Sequence, residues 1–484
     1  MTEQRIAREN RIGRGSAPTV RPYASPRALK CLTALIACIA LAWCFSAADP
    51  AFADVRKDDI VMGKAVGERD LAISQCPSVS AEYACLVGTD GTVYFERNAH
   101  SPSKIASITK VMTAIVALEN AAPDTHVGVS EYAALIGEST AGLQAGDSMD
   151  LDSALKALLV PSGNDAAQAI AETVGAQMIA ANPSLGSDPV EAFVAAMNKK
   201  AAEIGCSDTV YENPHGLDDG EFAGSLHSTA SDQAKVAQYA MKMDKIRSIV
   251  SGGSTAIEVT RDGEKATIEL ETTDLLLELY EYGIGVKTGF TEAAGASFMG
   301  AANKDDFELY AVVLGSSDEY QRFSDAISMF DWVYEHTTQV PLANSTQTHS
   351  CSVEGLSSTV PLIAEVSHAD WIDKTVPATL ADPTASATIF DVDGNVNAKY
   401  DFAELHGDVH AGDKVGTVTY TQHNEVIAQQ DLVACEDVPA PNFFDGVVVW
   451  WSRLVGGLDE AHGKAPSQVY NVMPIIINYV SNAA

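Results

Sequence analysis

Three short runs of residues in this 484-residue chain carry the side chains that acyl transfer requires, and the first contains Ser107 and Lys110. Residues three positions apart share one face of a helix, so a helix over 107–121 would bring the two side chains together. A serine hydroxyl is a weak nucleophile until a base takes its proton, and lysine is such a base when it is neutral. The pair predicts a nucleophile and its base, although this spacing is also typical of a solvated helix face.

Two further runs follow in order along the chain and strengthen this interpretation. Ser162-Gly163-Asn164 offers a hydroxyl and an amide from a loop, and Lys287-Thr288-Gly289 ends a strand-like run with a cation and a hydroxyl. An acyl-transfer site for a carboxylate-bearing substrate needs these groups. The order S-x-x-K, S-x-N, K-T-G resembles the signature of penicillin-binding proteins and class A β-lactamases.

Periodicity predicts which elements hold these runs. Two apolar segments around Asp90-Gly91 predict a β-hairpin, and the apolar spacing over 107–121 predicts a buried helix. Residues 130–205 are rich in Ala and Leu, which predicts a mainly helical insertion. Further helices are predicted at 226–250 and 320–336, and strands at Ile284–Phe290, Ser297–Ala302 and Phe307–Leu314. This order predicts an α+β fold with an antiparallel sheet flanked by helices.

The chain divides into four predicted segments: a signal segment at 1–53, a catalytic domain at 54–344, a small all-β domain at 345–440 and a C-terminal segment at 441–484. The first has a basic start, an uncharged run at 31–48 and a small-x-small end, which is typical of a signal peptide cleaved after Ala53. The uncharged run is also just long enough to remain as a membrane anchor. Either outcome places most of the chain outside the cytoplasm.

The C-terminal segment contains an apolar stripe at helical spacing. It consists of Phe444, Val447, Val448, Trp451, Leu454, Val455 and Leu458. This pattern predicts an amphipathic helix over 443–458 that binds a membrane surface. The polar face is not basic, so a helix packed on the β domain is the alternative.

Charge and cysteine usage exclude two classes of function. A net charge of −34 argues against nucleic-acid binding, which needs a basic surface. The cysteines after residue 53 lack zinc-ligand spacing, so we predict neither a metal nor a cofactor. Cys351 and Cys435 bracket the β domain and form either a disulfide or two buried thiols.

Over roughly residues 80–340 the chain resembles a low-molecular-mass penicillin-binding protein, a D-alanyl-D-alanine carboxypeptidase of serine peptidase family S11. The similarity rests on the stretches 104–114, 162–167, 213–217, 227–230 and 287–291. It implies a β-lactamase/transpeptidase-like fold, and more loosely a C-terminal module with a membrane anchor. It also implies that the partners are peptidoglycan stem peptides and β-lactam antibiotics.

The resemblance also implies a role for each catalytic side chain. Ser107 would be the acylated nucleophile that releases the terminal D-alanine, and Lys110 would be its general base. Ser162 would relay protons between Lys110 and the leaving amine. Asn164 would bind the substrate amide.

The remaining matched residues would bind the substrate's carboxylate and its oxyanion. Lys287 and Thr288 would hold the terminal carboxylate, with Gly289 beside them. The backbone N–H groups of Ser107 and Phe290 would form the oxyanion hole, which stabilises the charge of the tetrahedral intermediate.

Three further residues carry weaker assignments. Arg322 matches a carboxylate-binding arginine of some relatives, and the alternative is an ordinary arginine on a helix surface. His215 and Gly216 either shape the wall of the site or form only a structural turn.

Two differences from the pattern of class A β-lactamases restrict which reaction the resemblance implies. The middle run is Ser-Gly-Asn rather than Ser-Asp-Asn, and no Glu-x-x-Leu-Asn follows it to supply a deacylating water. Both disfavour a class A β-lactamase. The leading hypothesis is a serine D-Ala-D-Ala carboxypeptidase. The alternatives are a DD-endopeptidase or β-lactamase on the same fold, or a non-catalytic wall-binding protein.

Overall fold

A computed structural model describes residues 55–69, 71–353, 356–456 and 465–475. The signal segment predicted at 1–53 lies outside these residues, as does Leu458 of the predicted apolar stripe. The rest of the predicted elements can be compared with the structure directly.

The predicted hairpin and the three predicted strands belong to one seven-stranded sheet in which every neighbouring pair is antiparallel. Its order in space is Lys64–Ala65, Ile60–Val61, Val93–Arg97, Tyr83–Gly88, Phe307–Ser316, Gly295–Lys304 and Gly283–Thr291. The prediction of an antiparallel sheet is confirmed. The last strand is an edge strand, and it extends one residue beyond each end of the predicted Ile284–Phe290.

Both faces of this sheet are covered by helices, because its inner strands are buried on both sides along most of their length. In the strand Phe307–Ser316, alternate residues such as Ala311 and Val313 pack with the helix Gln321–His336. The residues between them, such as Val312, join the core around the helix Thr109–Asn120. A strand has a two-residue side-chain repeat, so one run of apolar residues supplies both cores.

The insertion predicted over 130–205 is mainly helical, as expected. The α-helices within it are Glu131–Leu135, Leu151–Leu159, Asn164–Ala181 and Pro189–Ile204. Where one helix was predicted over 226–250 the chain forms two, Ala230–Ala240 and Asp244–Val250, and short helices lie at Val66–Arg69 and Leu276–Leu279. A four-stranded sheet was not predicted: His126–Gly128, Ser148–Asp150, Thr255–Arg261 and Glu264–Leu270. Two of its strands, His126–Gly128 and Ser148–Asp150, have only three residues each and carry little periodic signal. The other two carry a signal that the prediction overlooked, because apolar and polar residues alternate on both sides of Asp262-Gly263.

The C-terminal part is a small all-β domain, as predicted. Its six-stranded sheet contains Asn397–Phe402, Lys414–Gln422, Glu425–Ala434, Thr375–Leu380, Ala364–Ser367 and Gln468–Val469. Two-stranded sheets pair Thr337–Pro341 with Ser386–Phe390, and Thr348–Val353 with Leu356–Pro361. The first of these pairs begins before residue 345, because its strand follows the helix Gln321–His336 without a break.

The apolar stripe lies on a helix, Phe443–Gly456, whose large side chains are mostly exposed. After it, residues 465–475 return to the β domain, where Asn471 exchanges hydrogen bonds with the backbone of Leu342 and Asn344. Within the described ranges, no helix combines the length and the apolar character needed to cross a bilayer.

Candidate active site

Ser107 lies in a 3₁₀ turn, Ala106–Ile108, that runs directly into the helix Thr109–Asn120. The residue before it, Ala106, has a positive φ of 48°, a backbone strain that the surrounding packing maintains. Lys110 follows one helical turn later, and its Nζ lies 2.7 Å from the Ser107 Oγ. The structure therefore brings the first predicted pair within hydrogen-bond distance.

Lys110 is fully buried, and its amine has two further partners. Its Nζ lies 3.4 Å from the Ser162 Oγ and 3.1 Å from the backbone oxygen of His215. Burial, and next the nearby Lys287 ammonium, hold the Lys110 pKa well below its usual value, whereas Asp165 opposes the shift. The lowered pKa favours the neutral amine, which is the form that can accept the proton of Ser107.

Ser162 reaches Lys110 from a sharp turn between two helices. Its φ is +66°, and a Cβ at the following Gly163 would lie 2.7 Å from the backbone oxygen of Ala157. The glycine is therefore needed for the chain to turn from the helix Leu151–Leu159 into Asn164–Ala181. This turn directs the Ser162 hydroxyl toward Lys110.

Asn164 begins the next helix and has one unused polar atom. Its Nδ2 donates to the Gly137 oxygen at 2.8 Å, but its buried Oδ1 has no partner among the described residues. The neighbouring Asp165 accepts hydrogen bonds from Thr140, Ala141 and Leu143, which fixes the loop opposite. An unpaired buried acceptor is costly, so this oxygen is suited to a ligand N–H group.

The edge strand Gly283–Thr291 approaches the nucleophile closely at Gly289. A Cβ there would lie 2.9 Å from the Ile105 oxygen and 3.2 Å from the Ser107 nitrogen. Only glycine allows this approach without displacing backbone. It places the backbone of the next residue, Phe290, beside the Ser107 amide, while the Phe290 ring is exposed on the cleft wall.

The cation of this strand is buried beside a carboxylate that the sequence analysis missed. Burial lowers the Lys287 pKa to about 7, while the Asp274 charge acts in the opposite direction. Burial likewise raises the Asp274 pKa to about 7, and its Oδ2 has no partner within the described part of the chain. Next to it, the hydroxyls of Thr273 and Thr288 lie 2.7 Å apart.

Arg322 is buried rather than exposed on a helix surface. Its Nη1 donates to the Gly289 oxygen at 3.1 Å, and its Nε has no partner among the residues with described positions. The guanidinium therefore lies against the K-T-G strand and on the cleft wall. Burial lowers its pKa, with Glu319 and Asp274 opposing that effect.

His215 and Gly216 form a buried turn behind the nucleophile. Burial, and next the Lys110 charge, lower the His215 pKa to about 3, so its ring is neutral. Gly216 has a φ of +91°, and a Cβ on it would lie 1.9 Å from the Ala106 oxygen. The turn supports the strained backbone that presents Ser107.

These residues surround an open cleft of about 770 Å³. Predicted residues on its lining are Ser107, Ser162, Asn164, Thr288, Gly289, Phe290 and Arg322, and the lining also includes Glu138, Ser139, Leu217, Thr273, Leu275, Asp318, Glu319 and Tyr320. Lys110 and Lys287 are buried next to it. The cleft therefore combines a serine next to a lysine of lowered pKa, buried basic side chains and an unpaired amide oxygen, which suits acyl transfer from a carboxylate-bearing peptide.

Residues 71–318 match the family Peptidase_S11, D-alanyl-D-alanine carboxypeptidase. The chain belongs to this family. It is 28% identical over 375 residues to D-alanyl-D-alanine carboxypeptidase DacF of Bacillus subtilis, covering 75% of this chain and 87% of that protein. It is 31% identical over 266 residues to the D-alanyl-D-alanine carboxypeptidase of Streptomyces sp. strain K15, covering 53% of this chain and 88% of that protein.

A solved structure supports the fold of this S11 peptidase. The D-alanyl-D-alanine carboxypeptidase DacD from Francisella tularensis superposes with a TM-score of 0.51 at 22% identity, covering 75% of this chain and 94% of that one. This agreement extends beyond the catalytic domain, because the matched share of the chain is larger than that domain.

The sequence did not predict the residues in and around the cleft that lie outside the three motifs. Thr273 lines the cleft and Asp274 is buried near Lys287; both precede the helix Leu276–Leu279, in a Thr-Thr-Asp stretch that resembles an ordinary loop. Glu138 and Ser139 come from the loop held by Asp165. No spacing rule connects these positions to Ser107, so only the folded chain identifies them.

Proposed function

We propose that the chain is a serine D-Ala-D-Ala carboxypeptidase that trims peptidoglycan stem pentapeptides through an acyl-enzyme on Ser107. The observation that supports this most directly is the 2.7 Å separation between the Ser107 Oγ and the amine of Lys110, a buried lysine whose pKa is lowered. Membership of the S11 family supplies the reaction class, and the cleft beside the K-T-G strand supplies room for a peptide end.

Acylation begins when Lys110 takes the proton of Ser107 and the serine oxygen attacks the carbonyl of the penultimate D-alanine. The carbonyl oxygen becomes an oxyanion between the backbone N–H groups of Ser107 and Phe290. As the peptide bond breaks, Ser162 passes a proton from Lys110 to the leaving amine, and free D-alanine departs. Water then attacks the ester, and Lys110 acts again as the base.

The terminal carboxylate of the substrate binds at the end of the cleft that holds the cations. Lys287 and Arg322 supply positive charge, and Thr288 supplies a hydroxyl from the strand between them. The Asn164 Oδ1 accepts a hydrogen bond from a substrate N–H. A β-lactam has a carboxylate and a reactive amide in the same relation, so it acylates Ser107 in the same way.

Release of free D-alanine from a peptide ending in Lys-D-Ala-D-Ala tests the proposal, with the Ser107→Ala variant and a matched Ser101→Ala control. Ser101 is an exposed serine six residues away. We expect Ser107→Ala to lose both D-alanine release and covalent labelling by penicillin, while Ser101→Ala retains both. Continued labelling of Ser107→Ala would refute the nucleophile assignment.

The lifetime of the penicillin adduct distinguishes the alternatives. A stable adduct together with D-alanine release supports the carboxypeptidase, whereas rapid loss of the adduct indicates a β-lactamase. A stable adduct without D-alanine release would indicate a DD-endopeptidase. A folded protein that neither labels nor releases D-alanine would be a wall-binding protein.

We further propose that the chain is exported by its N-terminal signal segment and binds the membrane surface through the helix Phe443–Gly456. Phe444 is 78% exposed and Trp451 is 59% exposed on this helix. Side chains of this kind bind at the boundary between lipid headgroups and acyl chains. Flotation with lipid vesicles tests the membrane proposal, and N-terminal sequencing of the exported protein tests cleavage after Ala53.

A further inference from the structure

Two buried thiols meet in the small β domain, far along the chain from each other. Cys351 lies in the hairpin formed by Thr348–Val353 and Leu356–Pro361, and Cys435 directly follows the strand Glu425–Ala434. With Val360 they form a separate apolar cluster of three buried residues. The structure holds both as free thiols, and the Cys351 Sγ lies 3.9 Å from the backbone oxygen of Ala434.

The described residues attach the hairpin to the rest of the domain through side chains rather than through strand pairing. Its strands belong to a two-stranded sheet that shares no strand with the six-stranded sheet. Its described links to the domain include the cysteine cluster, the Thr379 hydroxyl on the Pro361 oxygen at 2.8 Å, and His349 facing Glu436 at 3.4 Å. The two-stranded sheet alone would be only marginally stable.

We propose that Cys351 and Cys435 form a disulfide that fastens this hairpin to the β domain. The proposal rests on the proposed function only for the extracytoplasmic location, where such bonds persist. A disulfide-bearing oxidant such as oxidised glutathione supplies the chemistry. One cysteine thiolate attacks it to form a mixed disulfide and release one glutathione, and the other thiolate then attacks the cysteine sulfur of that mixed disulfide and releases the second. The protein S–S bond is formed, and the two released glutathione thiolates take up the protons that the two cysteines lost.

The bond forms during folding rather than after it. Burial, and next the neighbouring Cys351, raise the Cys435 pKa, so the packed thiol is a poor nucleophile. Before the hairpin packs, both thiols are accessible to the oxidant. Three further cysteines of the described residues, Cys76, Cys85 and Cys206, lie in the catalytic domain away from this cluster and provide an internal control.

The test is to refold the full chain from urea with oxidised and reduced glutathione, block free thiols with N-ethylmaleimide under denaturing conditions, and map peptides without reduction. We expect the peptides that contain Cys351 and Cys435 to be joined, and Cys76, Cys85 and Cys206 to be blocked. Blocked Cys351 and Cys435 in a refolded chain that still releases D-alanine would overturn the disulfide without affecting the proposed function.

A second measurement does not depend on peptide mapping. Dithiothreitol should lower the thermal unfolding midpoint of the oxidised chain by about 5 °C or more, because reduction frees a long closed loop. The double variant Cys351→Ser/Cys435→Ser should show no such effect, while Cys206→Ser should respond like the parent chain. An equal effect of dithiothreitol on the double variant would overturn the assignment.

Discussion

The cleft and the C-terminal helix depart from ordinary protein surfaces in opposite directions. The cleft buries basic side chains: Lys110, Lys287 and Arg322 are all at most 5% exposed. The helix Phe443–Gly456 exposes apolar groups, including Phe443 at 81%. Buried charges and exposed apolar patches are both unfavourable in isolation, so each indicates a ligand for which the arrangement is suited.

The two regions also differ in how the fold maintains them. The buried cations are surrounded by the sheet, the helices and the turn at His215, so many distant residues set their pKa values. The helix depends on a local repeat and is attached to the β domain through a few contacts, such as Arg453 on the Ala369 oxygen and the buried Val449. Changes in the cleft should therefore alter the chemistry, and changes on the helix should alter only where the protein binds.

The largest effect is expected from removing the base. Lys110→Met keeps the length of the side chain but cannot accept a proton, so we expect kcat for D-alanine release to fall by about a thousandfold or more. Lys156→Met, on a partly exposed lysine paired with Asp152, is the control and should have little effect. A Lys110→Met enzyme with near-normal kcat would mean that burial of this cation serves stability alone.

The next largest effect concerns the backbone behind the nucleophile. Gly216→Ala places a Cβ where the Ala106 oxygen lies, so Ser107 must move, and we expect kcat/KM to fall by about a hundredfold. Gly220→Ala is a matched control, because Gly220 also has a positive φ but its Cβ would meet no atom within 4 Å. Equal losses in the two variants would show that backbone strain, rather than the contact with Ala106, matters.

A smaller effect is expected from changing the helix, and it tests whether the helix and the cleft function independently. The double variant Phe444→Ser/Trp451→Ser should weaken vesicle binding by at least about tenfold, because it removes exposed apolar area that lipid would cover. Release of D-alanine from a soluble peptide should not change. Val426→Ser alters another exposed apolar residue of the β domain and should leave vesicle binding intact. Parallel loss of activity would contradict the independence of the two regions.

The smallest effect is a shift in pH dependence. Lys110 must be neutral, so kcat/KM should fall as pH drops through its lowered pKa. Lys287 must be charged to bind carboxylate, so kcat/KM should also fall as pH rises through its pKa of about 7. Asp274→Asn removes the charge that raises the Lys287 pKa, so the alkaline limb of the pH profile, where kcat/KM falls with rising pH, should move to lower pH.

A control distinguishes this effect from a general change of charge. Glu319→Gln alters a mostly exposed carboxylate 3.5 Å from Arg322 and should shift the limb less than Asp274→Asn does. Profiles that coincide for Asp274→Asn and the parent enzyme would show that Asp274 does not control the charge of Lys287.

Much of the architecture was predictable because it depends on local repeats. The apolar run of Phe307–Leu314, the helical spacing of 107–121 and the stripe at 443–455 each specify an element from its own residues. The S-x-x-K pair was predictable for the same reason, since one helical turn brings its two side chains together. The hairpin of Thr255–Arg261 and Glu264–Leu270 was also predictable from local sequence but was overlooked, because its apolar residues alternate with polar ones on both sides of Asp262-Gly263.

The chain order of three short motifs was thus enough to indicate an acyl-transfer site and its family. Tertiary structure alone brought Asp274 beside Lys287, buried Arg322 against Gly289 and closed the turn at Gly216 behind Ser107. These relations join residues distant in sequence, and the pKa of a buried group depends on everything packed around it. Local patterns specify which chemical groups the chain carries, whereas burial and long-range packing determine their protonation and which other groups they contact.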